Sequence, residues 1–323
     1  MKQDTRRTLM LCFLLAFYIV IAILGVYSIG SILLLPILAI PLTLYMIRNT
    51  AEMGTHILYN VATLLSVYAI TGKIESSLIY LIGIGVPAYA VSYFYKKKYP
   101  LPNTIVYAGV ISAIAFLLYQ GIMKAVGINY ELQYMVYMEQ LKTLLLPVAV
   151  SQFMATAGIA NKGFEVQITQ MLIGNFDLIK QLFAAMLIIN AFICTVIQVI
   201  ITHIILRRKD KALPTLGQLL EFRMSRVLLI ILAVAIFLMA MTTDALSGTM
   251  ILGVNVVVVI YMLFMLVGLL SVIGIIKKSS INKGVKIISG IFLGVIILFS
   301  PTLLILFGFL DTIFNFRKVT IVV

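Results

Sequence analysis

The sequence contains no tryptophan and only two cysteines, Cys12 and Cys194, which both lie inside apolar runs. A disulfide framework and a thiolate metal cluster are therefore excluded. The two histidines, His56 and His203, are too far apart in sequence for an H-E-x-x-H zinc site. The chain also lacks a G-x-x-x-x-G-K-[ST] phosphate loop, a G-x-S-x-G nucleophile elbow and the arginine series of a voltage sensor. We therefore expect a protein that is not an enzyme, with no cofactor and no metal.

Charged residues are also scarce, at 11% of the chain, whereas 63% is hydrophobic and the mean hydropathy is +1.15. These values exclude a soluble domain and predict an all-α, polytopic transmembrane helix bundle. The isoelectric point near 9.7 would suggest nucleic-acid binding in a soluble protein. Here no basic stretch is interleaved with aromatic residues, so we expect the basic residues to face lipid headgroups and expect no nucleic-acid partner.

The distribution of charge predicts the topology. If the N-terminus is cytoplasmic, the net charge of +13 falls entirely on inward segments and the outward loops are neutral, as the positive-inside rule requires. The main inward clusters are Lys96 to Lys98, Arg207 to Lys211, and Lys277 with Lys278. The continuous apolar run after Arg7 has no cleavage site, so it is interpreted as a retained helix. The expected location is a bacterial plasma membrane.

Apolar runs of about 20 residues predict about nine spans, with eight to ten possible. The run 9–47 is long enough for two, with Gly25, Gly30, Ser31 and Pro36 as candidate break points. The others are 52–70, 77–93, 102–126, 178–206, 227–241, 250–276 and 285–310. Pro301 predicts a kink in the last span, and the alternative is a re-entrant hairpin that returns the C-terminus to the cytoplasm.

Residues 127–176 carry scattered charges among apolar residues at helical spacing. This pattern favours amphipathic helix on the outer surface, and a charge-interrupted pair of spans is the alternative. The predicted organisation is a five-span bundle over 1–126, this extracytoplasmic segment, and a four-span bundle over 177–323 with a cytoplasmic connector at 207–226.

One candidate site is a polar stripe on the span at 178–206. Asn190, Cys194, Gln198 and Thr202 follow one another at intervals of four residues, with His203 beside the end. Polar groups at membrane depth are costly and often functional, so these five residues are candidates for lining a cavity. Hydrogen bonding that holds neighbouring helices together is an equally good explanation.

A second candidate is the face formed by Glu52, His56 and Asn60 at the predicted inner end of span three. This face is a candidate for binding a proton or a substrate. Helix capping by Glu52, together with solvation at the interface, is the simpler explanation.

Small residues one turn apart permit close helix packing. They occur at Gly109 and Ala113 and at Gly290 and Gly294, with Ala108 and Ser112 as a further pair. Packing within the chain is the more common use of such pairs, and docking to a partner membrane protein is the alternative.

The second half of the sequence resembles the YybS-like family of bacterial polytopic membrane proteins. The resemblance is carried by Arg207 to Arg223, by Asn255, Tyr261 and Gly268, and by the ending with Gly308, Asp311, Phe314, Phe316 and Arg317. Met224 and Ser225 stand where that family tends to carry proline. The resemblance implies a plasma-membrane protein without an assigned reaction.

The first six spans are more distantly similar to the substrate-binding subunits of energy-coupling-factor vitamin transporters. That likeness implies substrate capture by a helical bundle that docks to a separate membrane partner. Besides the lipid bilayer, the expected partner is therefore another membrane protein or an ATPase module. No ligand motif of those subunits occurs here. The expected function is therefore transport-related substrate capture without an ATPase of its own, and the alternative is a scaffold or assembly factor for envelope proteins.

Overall fold

The computed structural model describes residues 2–23, 35–49, 53–157, 162–242, 247–279 and 282–316. These ranges are predominantly α-helical and contain no strand. The helices are α1 (Lys2–Ile23), α2 (Leu35–Arg48), α3 (Met53–Thr71), α4 (Ile74–Tyr80), α5 (Val86–Lys96), α6 (Leu101–Ala125), α7 (Tyr130–Ala157), α8 (Lys162–Lys180), α9 (Phe183–Lys209), α10 (Val227–Ala240), α11 (Gly248–Lys278), α12 (Lys283–Phe299) and α13 (Pro301–Phe314).

Four helical stretches in these ranges are long and apolar enough to cross a membrane. They are Ile74–Lys96, Leu101–Ala125, Phe183–Lys209 and Gly248–Lys278. Five shorter apolar helices accompany them, at Arg7–Ala22, Ile37–Arg48, Val227–Ala240, Gly284–Val295 and Pro301–Phe314. The predicted fold class, an all-α membrane bundle, is confirmed. The run 9–47 forms two helices as predicted; Gly25, Gly30 and Ser31 lie outside the described residues, and Pro36 lies in the first turn of α2.

The helices form two compact units that interleave along the chain. Unit 1 comprises Met1–Tyr119, Ile188–Arg226 and Tyr261–Val323, and unit 2 comprises Gln120–Leu187 and Val227–Ile260. The division into 1–126, 127–176 and 177–323 remains a prediction. In unit 1, α2 packs along α5 and α1 packs on α3. The hydroxyl of Tyr18 on α1 donates a hydrogen bond to the carbonyl of Leu38 on α2 at 2.9 Å.

The basic segments predicted to face inward meet at one end of unit 1. Lys96 Nζ donates to the carbonyl oxygen of Asn49 at 2.8 Å, which joins the ends of α5 and α2. The connector after α9 contains a 3₁₀ helix at Leu216–Glu221. A Cβ built on Gly217 of this connector would lie 3.2 Å from Lys277 Nζ at the end of α11. Four of the predicted inward segments therefore lie on one face, which we call the basic end.

The predicted last span is two helices instead of one. Ser300 has φ −148° and ψ 63°, which breaks the helix between α12 and α13, and the two helices contact each other. Near the start of α12, Lys286 Nζ donates to the carbonyl of Lys277 at 3.2 Å. At the end of α13, Arg226 of the connector donates to the carbonyl of Ile313 at 3.4 Å. Both ends of this hairpin therefore lie at the basic end, which favours the re-entrant alternative over the kinked span.

Within unit 2, α7 and α8 form an antiparallel helical hairpin, so the helix predicted in 127–176 is present. Its position relative to the membrane remains a prediction. Lys180 on α8 forms an ion pair with Glu139 on α7. Lys142 on α7 lies 3.4 Å from a carboxylate oxygen of Asp177 on α8. The four charges pair across the hairpin, which offsets the cost of placing them among apolar residues.

The helix predicted to start near Leu178 begins instead at Phe183, and the buried amide of Asn255 explains the break. Asn255 on α11 accepts a hydrogen bond from the backbone N–H of Ala185 at 2.7 Å. Its amide nitrogen donates to the carbonyl of Gln181 at 2.7 Å. One side chain thus pairs with a backbone donor in the first turn of α9 and with a backbone acceptor in the turn after α8, where helix ends leave such groups without intrahelical partners.

Candidate functional site: a buried polar face on α9

The half of the predicted polar stripe that lies nearer Arg207 on α9 faces the interior of unit 1. Gln198 and Thr202 are both 0% exposed. Gln198 lies nine residues before Arg207 on α9, which corresponds to about 14 Å of helix. A hydrocarbon core is about 30 Å thick, so with Arg207 at its edge we expect the amide of Gln198 to lie near the middle of the bilayer.

Gln198 joins α9 to α2. Its Nε2 donates a hydrogen bond to Thr43 Oγ1 at 2.7 Å, and Thr43 in turn donates to the carbonyl of Ala39 at 2.8 Å. Thr43 is also fully buried. The pair fixes the orientation of the amide group and directs the other end of that group, the carbonyl oxygen, away from Thr43.

Two buried oxygen atoms of this face have no hydrogen-bond partner within the described part of the chain. They are Gln198 Oε1 and Thr202 Oγ1, which belong to residues one helical turn apart. A buried acceptor without a donor costs about 1–3 kcal/mol, and such groups are rare in native proteins. This arrangement suits a ligand or water that supplies a hydrogen-bond donor to Gln198 and either a donor or an acceptor to Thr202.

The half of the stripe that lies farther from Arg207 is less buried. Asn190 and Cys194 have intermediate exposure, and their recorded interaction is a weak one, from Cys194 Sγ to Asn190 Oδ1 at 3.8 Å. The helical spacing therefore brings four polar residues to one side of α9, but only Gln198 and Thr202 are enclosed completely.

His203, the fifth predicted residue, connects three elements at the basic end. Its Nδ1 lies 2.9 Å from the hydroxyl of Tyr95 on α5, and its Nε2 lies 2.9 Å from the carbonyl of Pro214 in the connector. Since a carbonyl only accepts, Nε2 carries a proton and donates, and in the neutral ring Nδ1 accepts from Tyr95. His203 also lines a pocket of about 360 Å³ together with Ile204, Arg207, Arg208, Lys211 and Leu216.

Two residues of the predicted face on α3, His56 and Asn60, are buried, and the role of this face remains a prediction. His56 is 5% exposed and packs edge-on against Tyr45. Asn60 Oδ1 accepts a hydrogen bond from Tyr80 at 3.3 Å, next to a π-helical turn at Leu81–Gly85. Turns of this type occur frequently at functional sites. Glu52, the third predicted residue, lies outside the described residues.

The small-residue pairs are used in different ways. A Cβ built on Gly109 of α6 would lie 2.7 Å from the ring of Phe192 on α9, and Ala113 is buried, so this pair packs within the chain. Among the residues that the structure describes, none comes within 4 Å of such a Cβ on Gly290 or Gly294 of α12. The face of α12 that carries them is therefore open.

The C-terminal residues of the resemblance form a packed structure as far as residue 316. A Cβ on Gly308 would collide with the backbone carbonyl of Phe264 on α11, and one on Gly268 would collide with that of Leu304 on α13. Asp311 is buried, at 4% exposure, and the rings of Phe314 and Phe316 lie 5.8 Å apart. Arg317 lies outside the described residues.

Three participants in these contacts were not identified as site residues from the sequence. Thr43 is an isolated hydroxyl in a long uncharged run, so no pattern indicates its partner. Tyr45 and Tyr95 sit near helix ends, where a lipid-interface position is the usual expectation. That expectation is wrong for Tyr45, which is 1% exposed, and Tyr95 binds His203 instead.

Comparison with known proteins gives one match. A family model described as "Predicted membrane protein (DUF2232)" matches residues 16–312. No curated protein matches the chain, and no solved structure does. The match is consistent with the resemblance to YybS-like membrane proteins, and the likeness to energy-coupling-factor subunits remains a prediction.

Proposed function

The chain belongs to the DUF2232 family of predicted membrane proteins, and from this premise we propose that it captures a small polar solute inside the bilayer. The solute binds in unit 1 against Gln198 and Thr202. The chain is not an enzyme, and it depends on a separate membrane protein or ATPase module for energy. Its location is a bacterial plasma membrane, with the N-terminus and the basic end in the cytoplasm.

The observation that carries the proposal is the pair of buried oxygens, Gln198 Oε1 and Thr202 Oγ1, that have no partner among the described residues. In hydrocarbon an unsatisfied polar group costs more than in water-exposed protein. Purely structural polar contacts would satisfy both ends of the amide, as Asn255 does in unit 2. The carbonyl oxygen of Gln198, which has no partner among the described residues, instead supports a role in binding.

Two isosteric substitutions on α9 test this role. Thr202→Val removes a hydroxyl without a partner, whereas Thr195→Val removes one that donates to the carbonyl of Ala191 at 2.8 Å. We expect a panel of small polar solutes, including water-soluble vitamins, to contain one that raises the melting temperature of the purified wild-type protein. Thr202→Val and Gln198→Leu should abolish this rise, and Thr195→Val should retain it.

A panel in which no solute stabilises the wild-type protein, or a solute effect that survives Thr202→Val and Gln198→Leu, would argue against solute capture. The dependence on a partner has its own test. Affinity purification of the full chain from its native membrane should recover an ATPase pair if the likeness to energy-coupling-factor subunits extends to function.

The alternative function is a membrane scaffold, and the open face of α12 favours it. Gly290 and Gly294 accept close approach by another helix, and the exposed Ile287 and Ile291 lie on the same helix. Gly290→Ile should leave the melting temperature unchanged, because no described residue of the chain approaches this position. Loss of a copurifying membrane protein in this variant, without a change in solute response, would support the scaffold.

A further inference from the structure

The pocket at the basic end is lined by residues that have no role in the proposed solute capture. Ile204, Arg207 and Arg208 lie on one side of α9, because residues three and four apart share a helical face. Lys211 follows in the turn after the helix, and Leu216 of the connector lines the pocket with them. Three cations thus line a volume of about 360 Å³, which is within the range of small-molecule sites.

No described acidic side chain forms an ion pair with these three cations, Arg207, Arg208 and Lys211. The nearest acid in sequence is Asp210, and one of its carboxylate oxygens accepts a hydrogen bond from the backbone N–H of Ala212 at 3.0 Å. Asp210 therefore shapes the turn. A group of like charges without counter-charges favours an anionic ligand, and guanidinium groups match phosphate oxygens in a two-pronged geometry.

The wall of the pocket is fixed. His203, at 1% exposure, holds the connector through Pro214 and is itself held by Tyr95. Leu216 and Leu219 of the connector pack on a core formed by residues of α5, α6 and α9, which include Val91, Leu101 and Val199. The connector is therefore packed against the helices, and these contacts shape the wall of the pocket.

We propose that this pocket binds the phosphate group of an anionic membrane lipid. The cations lie where α9 leaves its apolar stretch, and Ile204 and Leu216 supply an apolar wall. A phospholipid offers a phosphate to the cations and hydrocarbon to that wall, whereas free phosphate offers only the first. Basic pockets at the cytoplasmic ends of membrane helices bind acidic headgroups in this way. The proposal is independent of the solute-capture role of Gln198 and Thr202.

Native mass spectrometry of the purified full-length chain tests the proposal, with phosphatidylglycerol, phosphatidylcholine of the same acyl chains, and inorganic phosphate as separate probes. We expect preferential retention of phosphatidylglycerol. Its apparent affinity should fall about tenfold or more in the triple variant R207Q/R208Q/K211Q. The matched control K97Q/K98Q/K209Q removes the same charge from the basic end but outside the pocket, and it should change the affinity by less than about twofold.

A second variant tests the proposal independently, in case the triple variant misfolds. Ile204→Trp keeps every charge and fills the pocket from an exposed position on α9, and it should also reduce phosphatidylglycerol retention. Three results would overturn the proposal. The first is an equal loss of phosphatidylglycerol affinity in the two triple variants, which would leave the cations with a role only at the helix terminus. The second is phosphatidylglycerol retention that Ile204→Trp does not change. The third is binding of inorganic phosphate without binding of phosphatidylglycerol.

Discussion

At the scale of single residues, two buried amide side chains are used in opposite ways. Asn255 is satisfied at both ends and joins the turn after α8 to the first turn of α9. Gln198 is satisfied at its nitrogen only. A fully paired amide stabilises and specifies a structure, whereas a half-paired one lowers stability and has to be retained for another reason. This contrast separates a structural residue from a candidate binding residue of similar chemistry.

The structural role of Asn255 predicts a large effect on stability. Asn255→Leu leaves the N–H of Ala185 and the carbonyl of Gln181 without that partner, and we expect a loss of about 2 kcal/mol or more. Asn190→Leu is the matched control, since the recorded hydrogen bond of Asn190 is the weak contact from Cys194, and it should cost less than about 0.5 kcal/mol. Thermal unfolding in detergent measures both. Equal losses would show that the break between α8 and α9 does not depend on Asn255.

At the scale of helices, glycines at one crossing allow α11 and α13 to pack with their backbones in contact. We expect Gly308→Ala to lower the free energy of unfolding by about 1–3 kcal/mol, because the added methyl group meets the backbone of Phe264 and not a flexible side chain. Gly290→Ala on α12 adds the same methyl group in open space and should be neutral or slightly stabilising. Unfolding in detergent compares the two variants, and a Gly308→Ala protein as stable as Gly290→Ala would mean that the crossing is loose.

The hairpin of α7 and α8 has a stability that depends on pH. A hydrogen bond from Lys180, together with the charge of Lys142, holds the pKa of Glu139 below its ordinary value. Burial raises the pKa of Asp177, but hydrogen bonding to Lys180 and the charge of Lys142 outweigh this and lower it. A carboxylate whose pKa is lower in the folded state stabilises that state above its unfolded-state pKa, and this stabilisation is lost as the pH falls through the folded-state pKa.

Hydrogen-exchange protection factors of residues 130–180 should therefore be constant near neutral pH and should fall below about pH 4. The variant E139Q/D177N has lost the titrating groups, so its protection should be lower near neutral pH and should change little on acidification. Identical pH profiles for the two proteins would show that the ion pairs do not hold the hairpin together.

The positions of most helices could be predicted from the sequence because hydrophobic length and flanking charge determine them. The helical stretch Ile74–Lys96 and the helices α6 and α11 begin and end within three residues of the predicted positions. The boundary between α8 and α9 was not predicted, because Asn255 creates it from about 70 residues away in the chain. The partner of Gln198 escaped prediction for the same reason: helical spacing identifies the residues that share a face, but not the helix that this face meets.

At the scale of the whole molecule, the contacts within unit 1 support one orientation for the basic segments that they join. Contacts link Lys96 to Asn49, Tyr95 to His203, and Lys286 to Lys277. The sequence alone does not determine on which side of the membrane the C-terminus lies, because a kinked span and a hairpin have the same hydrophobic pattern. The contact between Arg226 and Ile313 provides the missing constraint.

Each helix of the last hairpin is also short for a complete crossing. At 1.5 Å per residue, the 17 residues of α12 extend about 26 Å and the 14 residues of α13 about 21 Å, against a hydrocarbon core of about 30 Å. Gly268 lies ten residues before the end of α11, and Gly308 lies six residues before the end of α13. These two glycines meet, so the ends of α11 and α13 lie at similar depths if both helices run toward the basic end.

We therefore expect residue 316 to be accessible from the same side of the membrane as the basic end. In a background in which Cys12 and Cys194 are replaced by serine, Phe316→Cys should react with an impermeant maleimide from the side that labels Lys97→Cys. Lys73→Cys, in a loop predicted to face outward, should label from the other side. Labelling of intact cells probes one side of the membrane, and labelling of inverted vesicles probes the other. If Phe316→Cys instead follows Lys73→Cys, then α12 and α13 cross the membrane together as one interrupted span, and the contact between Arg226 and Ile313 cannot form in the membrane.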